Sequence, residues 1–358
     1  MKYLSDSITE DISRKYLGHI SQVGGLIHYK LLDGKAGGTE AVDFNLASGL
    51  RFTVLPGRGM DIAWASYRGI PLCYMAKPGV VAASYYEPNG MDWLRSFYAG
   101  LLTTCGLSNV GNPCVEKHPE LGDIRHGLHG RIANTPAEQV SLYEDWENGR
   151  YVLRASGKMR EAVLHGDNVT LRRTYETGLD EHGFTLTDLI RNEGFHEHHL
   201  SILYHINIGY PLLSPDSRFI LSSTVSGSDE ESKTRENSYG VFRDPKPYNH
   251  QYGFHHDITP DKNGYVRAAV INDKLELGLG ICYLKKQLPK FNQWTVMSTG
   301  EYVLGMEPGT CHPISRETVE KTGEITVLAG GESKDITIRF EVLDGKEKIQ
   351  SFEKLIGE

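Results

Sequence analysis

No apolar run in this 358-residue chain approaches the roughly 20 residues needed to cross a bilayer, so no membrane role is expected. Positive charge is also short. The 38 Lys and Arg face 46 Asp and Glu, and the net charge of −8 offers no basic footprint for nucleic acid. That balance disfavours a bulky polyanionic substrate, although one local arginine pocket could override it. The five cysteines (Cys73, Cys105, Cys114, Cys282 and Cys311) are odd in number, scattered and free of CxxC spacing. They read as reduced thiols, not as a disulfide frame or a zinc knuckle. The start, Met1 to Ser7, lacks the apolar core of a secretory signal. The expected compartment is therefore the cytoplasm. Also missing are a phosphate-cradling glycine loop, a GxSxG elbow, a dinucleotide fingerprint and an HExxH pair. No cofactor is expected.

Apolar residues at 39% and charged residues at 23% are the proportions of an ordinary globular chain. The 39 glycines and 15 prolines fit many turns between short strands better than a helical bundle. Period-two alternation is the clearest pattern. Ile336, Ile338, Phe340 and Val342 alternate with Thr337, Arg339 and Glu341, which predicts a half-buried antiparallel strand. Val169 to Thr177 and Phe184 to Asn192 predict a hairpin. Leu200, Ile202, Tyr204, Ile206 and Ile208 line one face of a further strand, with Ser201, Leu203, His205 and Asn207 on the other. Similar strands are expected at 51–55, 61–67, 151–157, 266–271, 275–283 and 302–307. Helical patterns are confined to a turn within Gly90 to Tyr98 and the tail from Lys346 to Leu355. Thr224 to His256 is polar and turn-rich, and reads as a long loop arching over a site. The expectation is a single all-β domain over residues 1–358, with about 1–45 as accessory strands or loops.

Four stretches carry polar side chains among constrained backbone. In Pro56-Gly57-Arg58-Gly59-Met60-Asp61, flanking glycines let the chain turn and aim Arg58 inward or at a ligand, or simply expose it. His126-Gly127-Leu128-His129-Gly130-Arg131 presents two histidines at a spacing poor for a helical metal pair. A loop or strand end that offers them as acid or base suits them better, with a packed histidine as the bland alternative. In Tyr204 to Leu212, His205 and Asn207 point away from the isoleucines, toward a cleft or a second packed layer. Glu307 closes the apolar strand from Tyr302 and is followed by Pro308-Gly309. Desolvated there, its carboxyl would be raised into the range of a useful base; solvated, it is ordinary. The clusters His196, His198, His199 and His250, His255, His256 raise a metal hypothesis, yet they match no standard ligand spacing, and no metal site is assigned.

Taken together, these stretches resemble the galactose mutarotase-like superfamily, and more closely its aldose 1-epimerase-like DUF4432 branch. The resemblance runs from about residue 45 to 345. It also draws on Asn134-Thr135-Pro136 and Phe291-Asn292-Gln293-Trp294. It implies a large antiparallel β-supersandwich with a sugar site on one sheet. It implies His205 as general acid, Glu307 as general base and His129 as a second histidine at the ring oxygen. Arg58, Arg131, Asn207, Trp294 and, within Asn249 to Asp257, Asp257 are the implied substrate-binding positions. The chain departs from the Asn-His-x-Tyr-Phe-Asn type motif of the mutarotases proper, carrying Tyr204-His205-Ile206-Asn207-Ile208-Gly209-Tyr210 instead. The expected partner is a small-molecule sugar, and edge-strand pairing into a homodimer is open. The implied reaction is interconversion of α and β anomers. Two other readings stand beside it: a carbohydrate-binding protein without turnover, and a metal-assisted isomerase or epimerase acting at another carbon.

Overall fold

Period-two patterning becomes strand almost wherever it occurs. In the computed structural model, which describes residues 8–118, 121–248 and 250–356, the alternating segment around Ile338 forms the strand Ser333–Asp344 with its apolar residues buried. The predicted hairpin is Asn168–Gly178 with Gly183–Asn192, in continuous antiparallel register. The expected strands at 51–55 and 61–67 appear as Leu50–Leu55 and Asp61–Tyr67. The tail forms the helix Lys346–Lys354, and Gly90 to Tyr98 contains only the 3-10 turn Asp92–Arg95. The reading of Met1 to Ser7 and the position of Asn249 lie outside the described residues.

One expectation is corrected. Thr224 to His256 is not one long loop, because its two ends pair with each other as the strands Ser223–Gly227 and Gln251–Ile258. Tyr252, Phe254, His256 and Ile258 alternate as the buried face. Polar neighbours mask that period in the sequence. Between the two strands lie a short helix, Glu230–Lys233, and a 3-10 turn.

Among the described residues, twelve strands form one sheet and eight form a second, with antiparallel pairing throughout both. From its middle to one edge the large sheet runs Asp61–Tyr67, Leu102–Leu107, His198–Gly209, Glu301–Gly309, Lys290–Ser298, Gln251–Ile258, Ser223–Gly227. This is an all-β sandwich of two large antiparallel sheets. Apolar side chains from both sheets fill the space between them. Phe44 and Phe52 of the large sheet stack onto Phe184 and Phe340 of the small one, with successive ring centroids 4.4, 4.3 and 4.6 Å apart. Each such ring contributes about 1.5–3 kcal/mol by leaving water.

A charged pin crosses this apolar layer. Arg173, fully buried on the small sheet, donates from Nε and Nη2 to the two carboxylate oxygens of Asp188 (2.8 and 2.7 Å). Its Nη1 reaches across to Asp61 Oδ1 (2.7 Å) and Thr104 Oγ1 (2.8 Å) on the large sheet. Tyr204 completes the arrangement, donating its hydroxyl to Asp188 Oδ2 at 2.7 Å. The fork geometry and full set of partners are what make a buried ion pair tolerable. Arg173→Met should therefore leave two buried carboxylates uncompensated and lower stability by about 3–5 kcal/mol, read from urea unfolding. A loss below 1 kcal/mol would show that the carboxylates find other partners.

Candidate functional site

Strand register alone assembles the site. On the large sheet's outer face, Ser226 lies opposite His255, His255 opposite Asn292, and Asn292 opposite Glu307. The pairs Leu203–Gly309 and Ile206–Met306 put His205 opposite Glu307, and His205 faces Thr103 on its other side. Six polar residues from six adjacent strands thus form one row across the sheet. Alternation puts the odd-numbered residues of His198–Gly209 on this face, while Tyr204 and Ile206 point into the core.

His205 Nε2 stands 3.2 Å from Glu307 Oε1, with the residues 6% and 4% exposed. That approach depends on Gly305. A β-carbon there would lie 2.6 Å from Glu307 Oε1 and 3.2 Å from His205 Cε1. Aromatic rings enclose the pair. Phe97 lies 5.3 Å and Trp294 5.5 Å from the His205 ring, centroid to centroid. His129 approaches edge-on at 6.2 Å and packs on Trp93 at 4.7 Å.

The loop carrying His129 is laid against Leu102–Leu107. Its carbonyl accepts from Gly106 N–H, and Arg131 N–H donates back to the Gly106 carbonyl, both at 2.9 Å. A β-carbon on Gly130 would sit 2.2 Å from the Gly106 oxygen, so glycine is required where φ is +71°. His129 Nδ1 accepts from Gly111 N–H at 3.3 Å. In the neutral ring the proton then sits on Nε2, which is left as a donor.

Burial sets the protonation of the pair. It pushes the Glu307 carboxyl up to about 8 and the His205 imidazole down to about 4. Burial, with the neighbouring His205, takes His129 to about 3. Between about pH 4 and 8 the Glu307–His205 pair holds one proton, whichever partner carries it. One member can then take a proton while the other gives one.

The remaining expected positions fall in several places. Trp294 is half-buried beside His205, and its indole N–H donates to Gln251 Oε1 at 3.3 Å. Asn207 is buried on the same face as His205 and donates to the carbonyls of Ala99 (3.2 Å) and His205 (2.9 Å). Arg58 is 1% exposed. Its Nε donates to the Ala133 carbonyl (2.8 Å), Nη2 to Ser96 (3.1 Å) and Nη1 to Val81. It ties together loops that cover the site, and it does not reach the row. Arg131 lines a cavity of about 530 Å³ with Glu161, Asp167 and His198, which none of His129, His205 and Glu307 lines. Asp257 is 90% exposed and 4.0 Å from Lys285. Within that stretch, His255 is the residue that joins the row.

Sequence reasoning did not single out Asn292, His312 or Gly305. Asn292 Oδ1 accepts from His255 Nδ1 (3.0 Å) and His312 Nδ1 (2.6 Å). Asn292 shares a strand face with Trp294, a parity readable in the sequence. His312 follows the strand Glu301–Gly309, and no local pattern marks it. The histidine clusters disperse. His198 pairs with Asp167 (3.1 Å), His199 with Glu320 (2.7 Å) and His250 with Asp229 (3.3 Å). Among the described residues no group of three or more His, Cys, Asp or Glu is arranged to hold a metal ion.

The raised carboxyl has a stability consequence. Unfolded, Glu307 ionises near its ordinary 4.5; folded, it holds its proton to about 8. Its contribution is full below pH 4.5 and is lost as pH rises toward 8, at roughly 1.4 kcal/mol per unit at most. Glu307→Gln should therefore gain stability over the wild type between pH 5 and 8.5 in urea unfolding. A gap that stays constant with pH would remove the perturbed carboxyl from the account.

Comparison with known proteins agrees with this fold. A family profile described as "Domain of unknown function (DUF4432)" matches residues 36–342. No curated protein matches the sequence. Among solved structures, the chain is similar to a "putative aldose 1-epimerase" from Klebsiella pneumoniae. The TM-score is 0.85 at 22% identity, with 94% of this chain and 92% of that one covered. It is also similar to a galactose mutarotase-like protein from Clostridium acetobutylicum (TM-score 0.60, 13% identity, 90% and 99% covered). A galactose 1-epimerase from Lactobacillus acidophilus gives 0.56 at 11% identity, with 90% and 100% covered. At these identities the likeness is one of fold.

Proposed function

The chain belongs to the DUF4432 family, and from that premise we propose that it is an aldose 1-epimerase-like isomerase that interconverts the α and β anomers of a free sugar. The observation that carries the proposal is the buried approach of Glu307 and His205 at 3.2 Å, where burial pushes the carboxyl up to about 8 and the imidazole down to about 4. The names of the Klebsiella and Lactobacillus structures support the same chemistry.

The step needs one base and one acid. Glu307, as carboxylate, takes the proton from the anomeric hydroxyl. The bond from C1 to the ring oxygen breaks, its electron pair passes to that oxygen, and His205 supplies the proton. An open-chain aldehyde results, and rotation about C1–C2 exposes its other face. The reverse transfers then close the ring as the other anomer, and both groups return to their starting state. Glu307 and His205 stand 3.2 Å apart, so one sugar ring can meet both the base and the acid. His129, with its Nε2 proton, can donate to the ring oxygen as charge gathers there.

Anomeric proton NMR on freshly dissolved aldoses, with and without protein, tests the proposal. Accelerated α/β exchange for one sugar is expected, falling about 10²–10⁴-fold in Glu307→Gln and in His205→Asn. Its pH profile should be a bell with limbs near 4 and 8, where the pair gains a second proton or loses its only one. Unaltered exchange in either variant would remove that residue from the mechanism. Gly305→Ala should displace the Glu307 carboxylate and cut exchange at least tenfold, roughly 1.4 kcal/mol of barrier, in a folded protein. Full activity in that variant would mean that the contact is dispensable.

A further inference from the structure

Beside the reacting pair, Asn292 sits between two imidazoles that the proposed chemistry does not use. Its Oδ1 lies 3.0 Å from His255 Nδ1 and 2.6 Å from His312 Nδ1, and the two rings are 4.2 Å apart between centroids. The hydrogen-bond network orients the Asn292 amide. Its Nδ2 faces the Glu307 backbone carbonyl at 3.4 Å, and a flipped amide would set two oxygens against each other there. Oδ1 therefore faces the histidines, and an amide oxygen only accepts. Both imidazoles must donate from Nδ1. Each neutral ring then keeps its lone pair on Nε2 as an acceptor.

We propose that Asn292, His255 and His312 form a hydroxyl-reading subsite beside Glu307, selecting a neutral, unphosphorylated sugar by accepting hydrogen bonds from its hydroxyls. The assignment of the occupant as a sugar rests on the mutarotase reading above. A hydroxyl can donate to a lone pair, whereas an ionised phosphate or carboxylate brings only acceptors and would be repelled. The row itself contains no lysine or arginine. Of the cations nearby, Lys290 is paired with Glu324 at 2.7 Å, and Arg58 is bound to backbone carbonyls. Burial, with His255 and Lys290 beside it, lowers His312 to about 4, in keeping with a neutral acceptor. A second charge on the pair would also set two cations only 4.2 Å apart.

Two measurements on the full chain test this. Selective ¹⁵N-histidine labelling should report His255 and His312 as Nδ1–H tautomers in the wild type, with that preference lost in Asn292→Leu. Nε2–H tautomers in the wild type would overturn the subsite. Titrating a panel of neutral aldoses, their 6-phosphates and the matching uronic acids should show binding of a neutral member only. Affinity should fall about 3–10-fold in His255→Leu and in His312→Leu, one neutral hydrogen bond each. Preference for a phosphorylated or acidic sugar would overturn the subsite, as would unchanged affinity in both variants, even if anomeric exchange is catalysed. Selective neutral binding without exchange would overturn the mutarotase reading and leave the subsite standing. Binding of no member of the panel would overturn both.

Discussion

One buried cation holds the two sheets in register. Arg173 bridges Asp188 on the small sheet and Asp61 on the large one, and Tyr204 hydrogen-bonds to the same Asp188. Tyr204 immediately precedes His205 on a strand whose successive side chains point to opposite faces. Fixing Tyr204 toward the core therefore fixes His205 toward the outer face. A slip of one residue would exchange those faces and turn the imidazole into the core. The ion pair thus positions the reacting histidine without touching it.

The outer face presents the opposite problem, because it must bury polar groups and still leave them reactive. Loops anchored by Arg58, Asn207 and the His129 turn bring Trp93 and Phe97 over the row. Removing water raises Glu307 and lowers His205. The missing side chain at Gly305 permits this, since any β-carbon would occupy the space of the Glu307 carboxylate. Desolvation supplies the chemistry, and a glycine supplies the room.

Asn292 extends the same logic along the row. Its amide touches the backbone of Glu307 on one side and two imidazoles on the other. Three side chains from neighbouring elements thereby acquire defined hydrogen-bonding directions next to the reacting pair. Rigid placement of this kind is what a recognition site on a sheet can provide and a loop cannot.

Much of this was legible in the chain. Alternation around Ile338 and along Leu200 to Ile208 reported strands and their faces, because half-buried strands repeat every two residues. The face of His205 followed from the same parity. The motif around Arg58 was visible, but its partners were not. Whether an arginine beside glycines meets a ligand or the chain's own carbonyls depends on loops 23 to 75 residues away. Asp257 and His255 differ by two residues and share a face, yet only cross-strand register puts His255 beside Asn292. The local sequence thus determined strands, faces and chemically capable residues. The tertiary structure alone decided which of them meet, because register and burial are set by residues far apart in the chain.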